Sequence, residues 1–184
     1  LLALGICSVV CTSSALLLGP ASLPKSLALP AAGALGAAVL VAANRERTAL
    51  GELWLSALLP AAAVPIAVAG EVPLKTALET WCVWALCSLA AITSVRAVIA
   101  RLKRAAGLAE RTAGTVTASL LGLGLVTLGW LPWRLGGAVL PTLLLSGYLA
   151  VRPPHPRHLR RMGWALVAAT LVTGTWLAVV GRLD

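Results

Sequence analysis

Long apolar stretches, separated by short clusters of charged residues, constrain this sequence more than any other feature. A run of about 20 predominantly apolar residues crosses a bilayer as a helix. Several such runs follow one another here, and they are rich in Ala and Leu, which favour helix. Only 11% of the 184 residues are charged, whereas a soluble domain has about 25%. The pattern predicts a polytopic α-helical membrane protein.

We predict an all-α fold, a transmembrane bundle of about seven spanning helices that forms one domain over residues 1–184. The approximate bounds of the segments are 1–18, 27–43, 50–70, 76–100, 113–131, 135–151 and 162–180. The chain begins with Leu1, and we therefore expect the native N-terminal part to be missing. The residues do not indicate an oligomeric state.

The 15 Lys and Arg residues are concentrated in every second loop, and therefore at one end of the predicted bundle. Ten lie in the second, fourth and sixth connecting loops, four lie in the other loops and the tail, and Arg96 lies inside a segment. Cytoplasmic loops carry an excess of Lys and Arg. We therefore expect a multi-pass protein of the cell (inner) membrane whose even-numbered loops are cytoplasmic and face anionic lipid headgroups.

Charged residues inside membrane segments are candidates for function, and two of them lie at matching depths. Glu52 is five residues beyond Arg47, and Arg96 is five residues before Arg101. At 1.5 Å per residue, each lies roughly 7–8 Å inside its boundary charge. Because the third and fourth segments form an antiparallel hairpin, we expect Glu52 and Arg96 to form an ion pair hidden from lipid. The pair either fixes helix packing or belongs to a cytoplasmic-side pocket, or Arg96 reaches the headgroups alone.

Several chemical functions have no support in the residues. The four cysteines lie in apolar runs, no His or acid accompanies Cys7 and Cys11, and prolines flank the first histidine of His155 and His158. We predict no metal site and no cofactor. The basic loops lack the stacking aromatics of a nucleic-acid-binding surface, so we predict no nucleic-acid partner. A prenyl-diphosphate enzyme holds Mg²⁺ with acidic clusters, but the one Asp is Asp184.

NRER, residues 44–47, lies between the second and third segments, and VRAVIARLKR, residues 95–104, closes the fourth. With these two motifs, the sequence resembles the YwiC-like family of bacterial multi-pass membrane proteins from about Leu27 to its end. Family members usually begin with P-x-x-H-G-A-W, which is absent here. They also tend to have an Asn-Asp pair shortly after NRER, where this chain has Gly51 and Glu52. The resemblance implies a membrane fold without an established reaction.

The candidate binding site consists of four charged residues near the cytoplasmic side: Arg45, Arg47, Glu52 and Arg96. Arginines there suit an anionic lipid headgroup or a diphosphate. One alternative is a relative of the UbiA-type prenyltransferases that has lost its Asp-rich motifs. Another is a small-molecule transporter, because Pro60 and Pro65 interrupt the third segment as in the broken helices that line cavities. A third is a partner subunit. Enzymatic activity stays open, with a non-enzymatic role favoured.

Overall fold

The computed structural model describes residues 21–102, 108–152, 154–155 and 158–180, and every regular element in these ranges is helical. The all-α prediction is confirmed for this part of the chain. The helices are α1 (Leu23–Ala42), α2 (Ala49–Leu58), a 3₁₀ helix (Leu59–Ala62), α3 (Ala63–Ala69), α4 (Leu74–Leu102), α5 (Leu108–Thr127), α6 (Trp133–Gly137), α7 (Leu140–Val151) and α8 (Leu159–Val180).

Five helical stretches within the described ranges are long and apolar enough to span a membrane: Leu23–Ala42, Leu50–Ala69, Leu74–Ile99, Trp133–Val151 and Arg160–Val180. They support the membrane prediction, but seven spans are not confirmed. The predicted first span, residues 1–18, lies outside the described residues. In the region of the predicted fifth span, 113–131, the apolar stretch is Thr115–Thr127. Helix α5 itself begins at Leu108 and ends at Thr127, four residues before the predicted end of this span.

The same helix-ending motif follows three of the helices, α1, α3 and α5. In the described part of the chain, three residues have positive φ: Asn44, Glu71 and Gly129. Each follows the C-cap of a helix in the left-handed conformation. After α1, the Arg45 N–H donates to the Leu40 carbonyl at 2.8 Å, which is the 6→1 bond of a Schellman motif. Corresponding bonds close α3 and α5, so Gly129 ends α5 before residue 131.

The interruption in the third segment is a 3₁₀ helix that begins next to Pro60. Proline has no N–H, and in a membrane a neighbouring group must satisfy the carbonyls that such a break frees. The Trp81 indole N–H of α4 donates to the Ala57 carbonyl at 3.2 Å, one turn before the break. Val64 and Val68 of α3 are each 1% exposed and pack in a core cluster. Side chains therefore fill this side of the break.

Helix α4 is the centre of the bundle and contacts α2, α3, α5, α6, α7 and α8. Its most apolar 18-residue window is 44% buried, against 11% for α1. Large apolar side chains on α1, such as Leu35 and Val39, are exposed. This is the arrangement expected of a bundle whose outer surface contacts lipid.

A buried hydroxyl cluster connects α4, α5 and α7. The Ser146 hydroxyl donates to the Ala90 carbonyl at 2.8 Å. It lies 2.9 Å from the hydroxyl oxygen of Ser94 and 2.9 Å from that of Thr115. Because Ser146 has one proton and two lone pairs, it accepts from both of these hydroxyls. Three helices that are far apart in sequence are thus joined at one buried oxygen.

Candidate functional site

The turn between α1 and α2 contains NRER, and two of its residues have local structural roles. Asn44 adopts the left-handed conformation that ends α1, which Asn tolerates better than most residues. Thr48 is the N-cap of α2, where its hydroxyl oxygen accepts from the Gly51 N–H at 3.3 Å. The same hydroxyl donates to the Arg45 carbonyl at 2.7 Å. Asn44 and Thr48 therefore need no functional explanation.

Gly51 allows the backbone of residues 45 and 46 to lie close to the start of α2. A Cβ atom at this buried position would lie 2.5 Å from the Arg45 carbonyl oxygen and 2.6 Å from the Glu46 carbonyl oxygen. Both atoms belong to the backbone, so a side chain here requires the turn to move. An asparagine, expected at this point from the family resemblance, therefore does not fit the observed turn.

Glu52 of α2 and Arg96 of α4 form the predicted ion pair. Arg96 Nη1 donates directly to Glu52 Oε2, which confirms the contact inferred from their matching depths. The pair is only partly buried by the protein, because the Glu52 side chain is 38% exposed and the Arg96 side chain is 40% exposed. Glu52 also lies in the first turn of α2, where the positive end of the helix dipole favours a carboxylate.

Arg45 and Arg47 add two positive charges in the turn beside this neutral ion pair. Both are exposed, and neither forms an ion pair with any residue in the described ranges. The structure brings Glu52 and Arg96 together and places Arg45 and Arg47 in the adjoining turn, without a described contact to the pair. Their guanidinium groups are accessible to an anion from outside the bundle.

Glu46 is the residue of this region that the sequence reasoning left out of the candidate site. Its Oε2 atom is buried and has no hydrogen-bond partner among the described residues. An unsatisfied buried polar group costs about 1–3 kcal/mol, so a donor from outside the described chain would stabilise it. The one feature of the sequence that pointed to Glu46 is its position between two arginines. The direction of its side chain follows only from the folded turn.

Other predicted features lie beside this region or outside the described residues. Lys103 and Arg104 fall outside them, as do the first two cysteines. Glu79, a third charged residue of the predicted segments, lies 3.8 Å from Lys75 one turn away on α4. It forms a local ion pair at the opposite end of the helix from Arg96.

Comparison with protein-family models, curated proteins and solved structures finds no match to this chain. The resemblance to the YwiC-like family therefore stays a prediction from NRER and VRAVIARLKR. Any functional assignment has to come from the geometry of the turn and the ion pair.

Proposed function

We propose that this chain is a multi-pass bacterial inner-membrane protein of the YwiC-like type that binds an anionic lipid headgroup beside the turn at residues 44–48. One observation carries the proposal: the exposed guanidinium groups of Arg45 and Arg47 adjoin an ion pair that is itself more than one third exposed. In this proposal the turn lies on the cytoplasmic face, together with the other two basic loops.

The chemistry of arginine supports a phosphate or diphosphate as the bound group. Each guanidinium has five donors in a planar fork that matches phosphate oxygens. The bond from Arg96 Nη1 to Glu52 leaves the other donors of Arg96 for a ligand. Glu52 then holds Arg96 in place while the arginines of the turn contribute the charge that an anion needs. The Glu46 carboxylate lowers the net positive charge of the site. Because its Oε2 atom has no hydrogen-bond partner among the described residues, a headgroup that also carries hydrogen-bond donors is favoured.

The two alternative functions gain less support. A prenyltransferase relative needs acidic residues for Mg²⁺, and the sequence has a single Asp at its last position. A transporter with a cavity at the broken third segment is disfavoured by Val64 and Val68, whose side chains fill the α3 side of the break.

The test uses the full chain in mild detergent, with dioleoyl phosphatidylglycerol and dioleoyl phosphatidylcholine as probes and native mass spectrometry as the measurement. Each Arg near an anionic surface contributes about 1 kcal/mol. The preference for phosphatidylglycerol should therefore fall by at least about fivefold in the variant Arg45→Ala with Arg47→Ala. The matched control is Arg160→Ala with Arg161→Ala, two exposed arginines at the start of α8. Its preference should fall clearly less than that of the turn variant, because these two arginines contribute only general attraction to anionic lipid.

Two results would count against the proposal. One is a wild-type chain that binds both lipids equally. The other is an equal loss of preference in the two double variants, which would mean that total charge rather than the turn selects the lipid.

A further inference from the structure

A separate cleft of about 820 Å³ lies between α5, α6, α7 and α8. Sites for small molecules typically have volumes of about 300–1,000 Å³. Leu86 of α4 contributes to its lining, and among the lining residues, all within the described ranges, none is charged. The cleft is thus an apolar space within the membrane-spanning helices, formed by different elements from the turn at residues 44–48.

Glycines create this space. Gly122 of α5 and Gly147 of α7 both line the cleft. A Cβ atom added at Gly122 would have its nearest neighbour at 3.5 Å, and one added at Gly147 would have it at 3.9 Å. These are ordinary contact distances, so neither glycine is required for close helix packing. The absent side chains instead leave room for a ligand.

The length of the cleft matches one leaflet of a bilayer. Along α5, its lining extends from Thr115 to Val126, a distance of about 16 Å at 1.5 Å per residue. Half of a hydrocarbon core is about 15 Å. Trp176 bounds one end, where its ring lies 3.6 Å from the Cβ position of Gly137 and its indole N–H donates to the Arg134 carbonyl at 2.8 Å.

The other end of the cleft carries the polar groups. Tyr148 lines it, and Arg152 follows four residues later, with its N–H donating to the Tyr148 carbonyl at 2.8 Å. Residues four apart lie on the same helix face, so exposed Arg152 lies one turn beyond the cleft on the Tyr148 side. At the opposite end, the Arg134 guanidinium already stacks on the Trp133 ring, 5.8 Å from its centroid.

We propose that this cleft binds one acyl chain of an anionic phospholipid, with the lipid phosphate held by Arg152. The apolar lining takes the chain, the Tyr148 end is the mouth, and the positive charge at the mouth selects the headgroup. This site does not depend on the proposed headgroup site at Arg45 and Arg47. The full chain can therefore bind two such lipids on separate surfaces.

The experiment uses dioleoyl phosphatidylglycerol with a photoreactive diazirine in one acyl chain, added to the full chain in bilayer nanodiscs. Leu123 and Leu144, which line the cleft, report the cleft. Leu35, an exposed residue of α1, reports general contact with lipid. Labelling mapped by mass spectrometry should favour the cleft peptides over the α1 peptide.

Gly122→Leu fills the cleft, and Gly124→Leu is its matched control on the same helix. A Cβ at Gly124 meets no atom within 4 Å, and Gly124 is not among the residues that line the cleft. Because a Leu side chain displaces several CH₂ groups of the lipid, Gly122→Leu should reduce the labelling ratio by about tenfold or more. Gly124→Leu should leave it within about twofold. Gly147→Leu provides a second cleft-filling variant if Gly122→Leu does not fold.

Arg152→Gln should lower the preference of cleft labelling for the phosphatidylglycerol probe over its phosphatidylcholine analogue by about fivefold. Arg45→Ala with Arg47→Ala should leave cleft labelling unchanged, which separates this site from the other one. Equal labelling of the cleft and α1 peptides in the wild type overturns the proposal. So does an equal effect of the leucine substitutions at residues 122 and 124, or an unchanged lipid preference after Arg152→Gln.

Discussion

Replacement of Ser146 by Ala should destabilise the bundle because it removes the central oxygen of the buried hydroxyl cluster. Ser146 donates to the Ala90 carbonyl and accepts from Ser94 and Thr115, all at 2.8–2.9 Å. Interhelical hydrogen bonds in membranes average about 0.6 kcal/mol each, so three contribute roughly 2 kcal/mol. Ser94 also lies 2.9 Å from the Ala90 carbonyl and keeps that acceptor. The expected loss is therefore about 1–2 kcal/mol.

The measurement is reversible unfolding in mixed micelles with increasing SDS, followed by circular dichroism. Ser119→Ala is the matched control, since the Ser119 hydroxyl donates to the Thr115 carbonyl of its own helix at 2.8 Å. That variant should lose no more than about 0.5 kcal/mol. If both variants lose the same stability, the cluster does not hold the three helices together and the reasoning is refuted.

The remaining predictions concern the candidate headgroup site. Glu52→Gln and Arg96→Gln should each lower the free energy of unfolding by about 0.5–1 kcal/mol, since a partly exposed pair contributes little more. The charge swap should recover part of this loss in the same SDS assay, and wild-type stability in both single variants would make the pair irrelevant. Gly51→Ala should abolish the headgroup preference seen by native mass spectrometry without changing any charge. It should also cost about 1–3 kcal/mol. Gly70→Ala, whose added Cβ meets its nearest atom at 3.4 Å, should retain the preference.

Part of the candidate site was predictable because depth in a membrane can be counted along the chain. Glu52 and Arg96 lie at equal distances from the turn of a hairpin, and the helical rise converts those distances to the same level. Their contact follows from that symmetry. The exposure of the pair does not follow from it, because it depends on which neighbouring helices cover the two side chains.

The structural roles of Glu46 and Gly51 could not be predicted from the local sequence. NRER reads as a short polar turn, which is correct, and its arginines fit the charge pattern of the other loops. The burial of one Glu46 oxygen and the close approach of two carbonyls to Gly51 require the turn to fold back on α2. That arrangement arises from the left-handed Asn44 and the Thr48 cap acting together.

The sequence by itself determined the helical class, the presence of helices apolar enough to span a membrane, and the approximate position of most helices. Runs of apolar residues must form internally hydrogen-bonded helices in lipid, where no water can satisfy the backbone. Only the tertiary structure decided which helix faces pack, where α5 ends, and how the hydroxyl cluster and the cleft form. Lipid and helix surfaces are both apolar, so the pattern of hydrophobic residues does not distinguish a face that packs from one that faces lipid. Ser94, Thr115 and Ser146 meet because three helices fit together, and no spacing along the chain encodes that meeting.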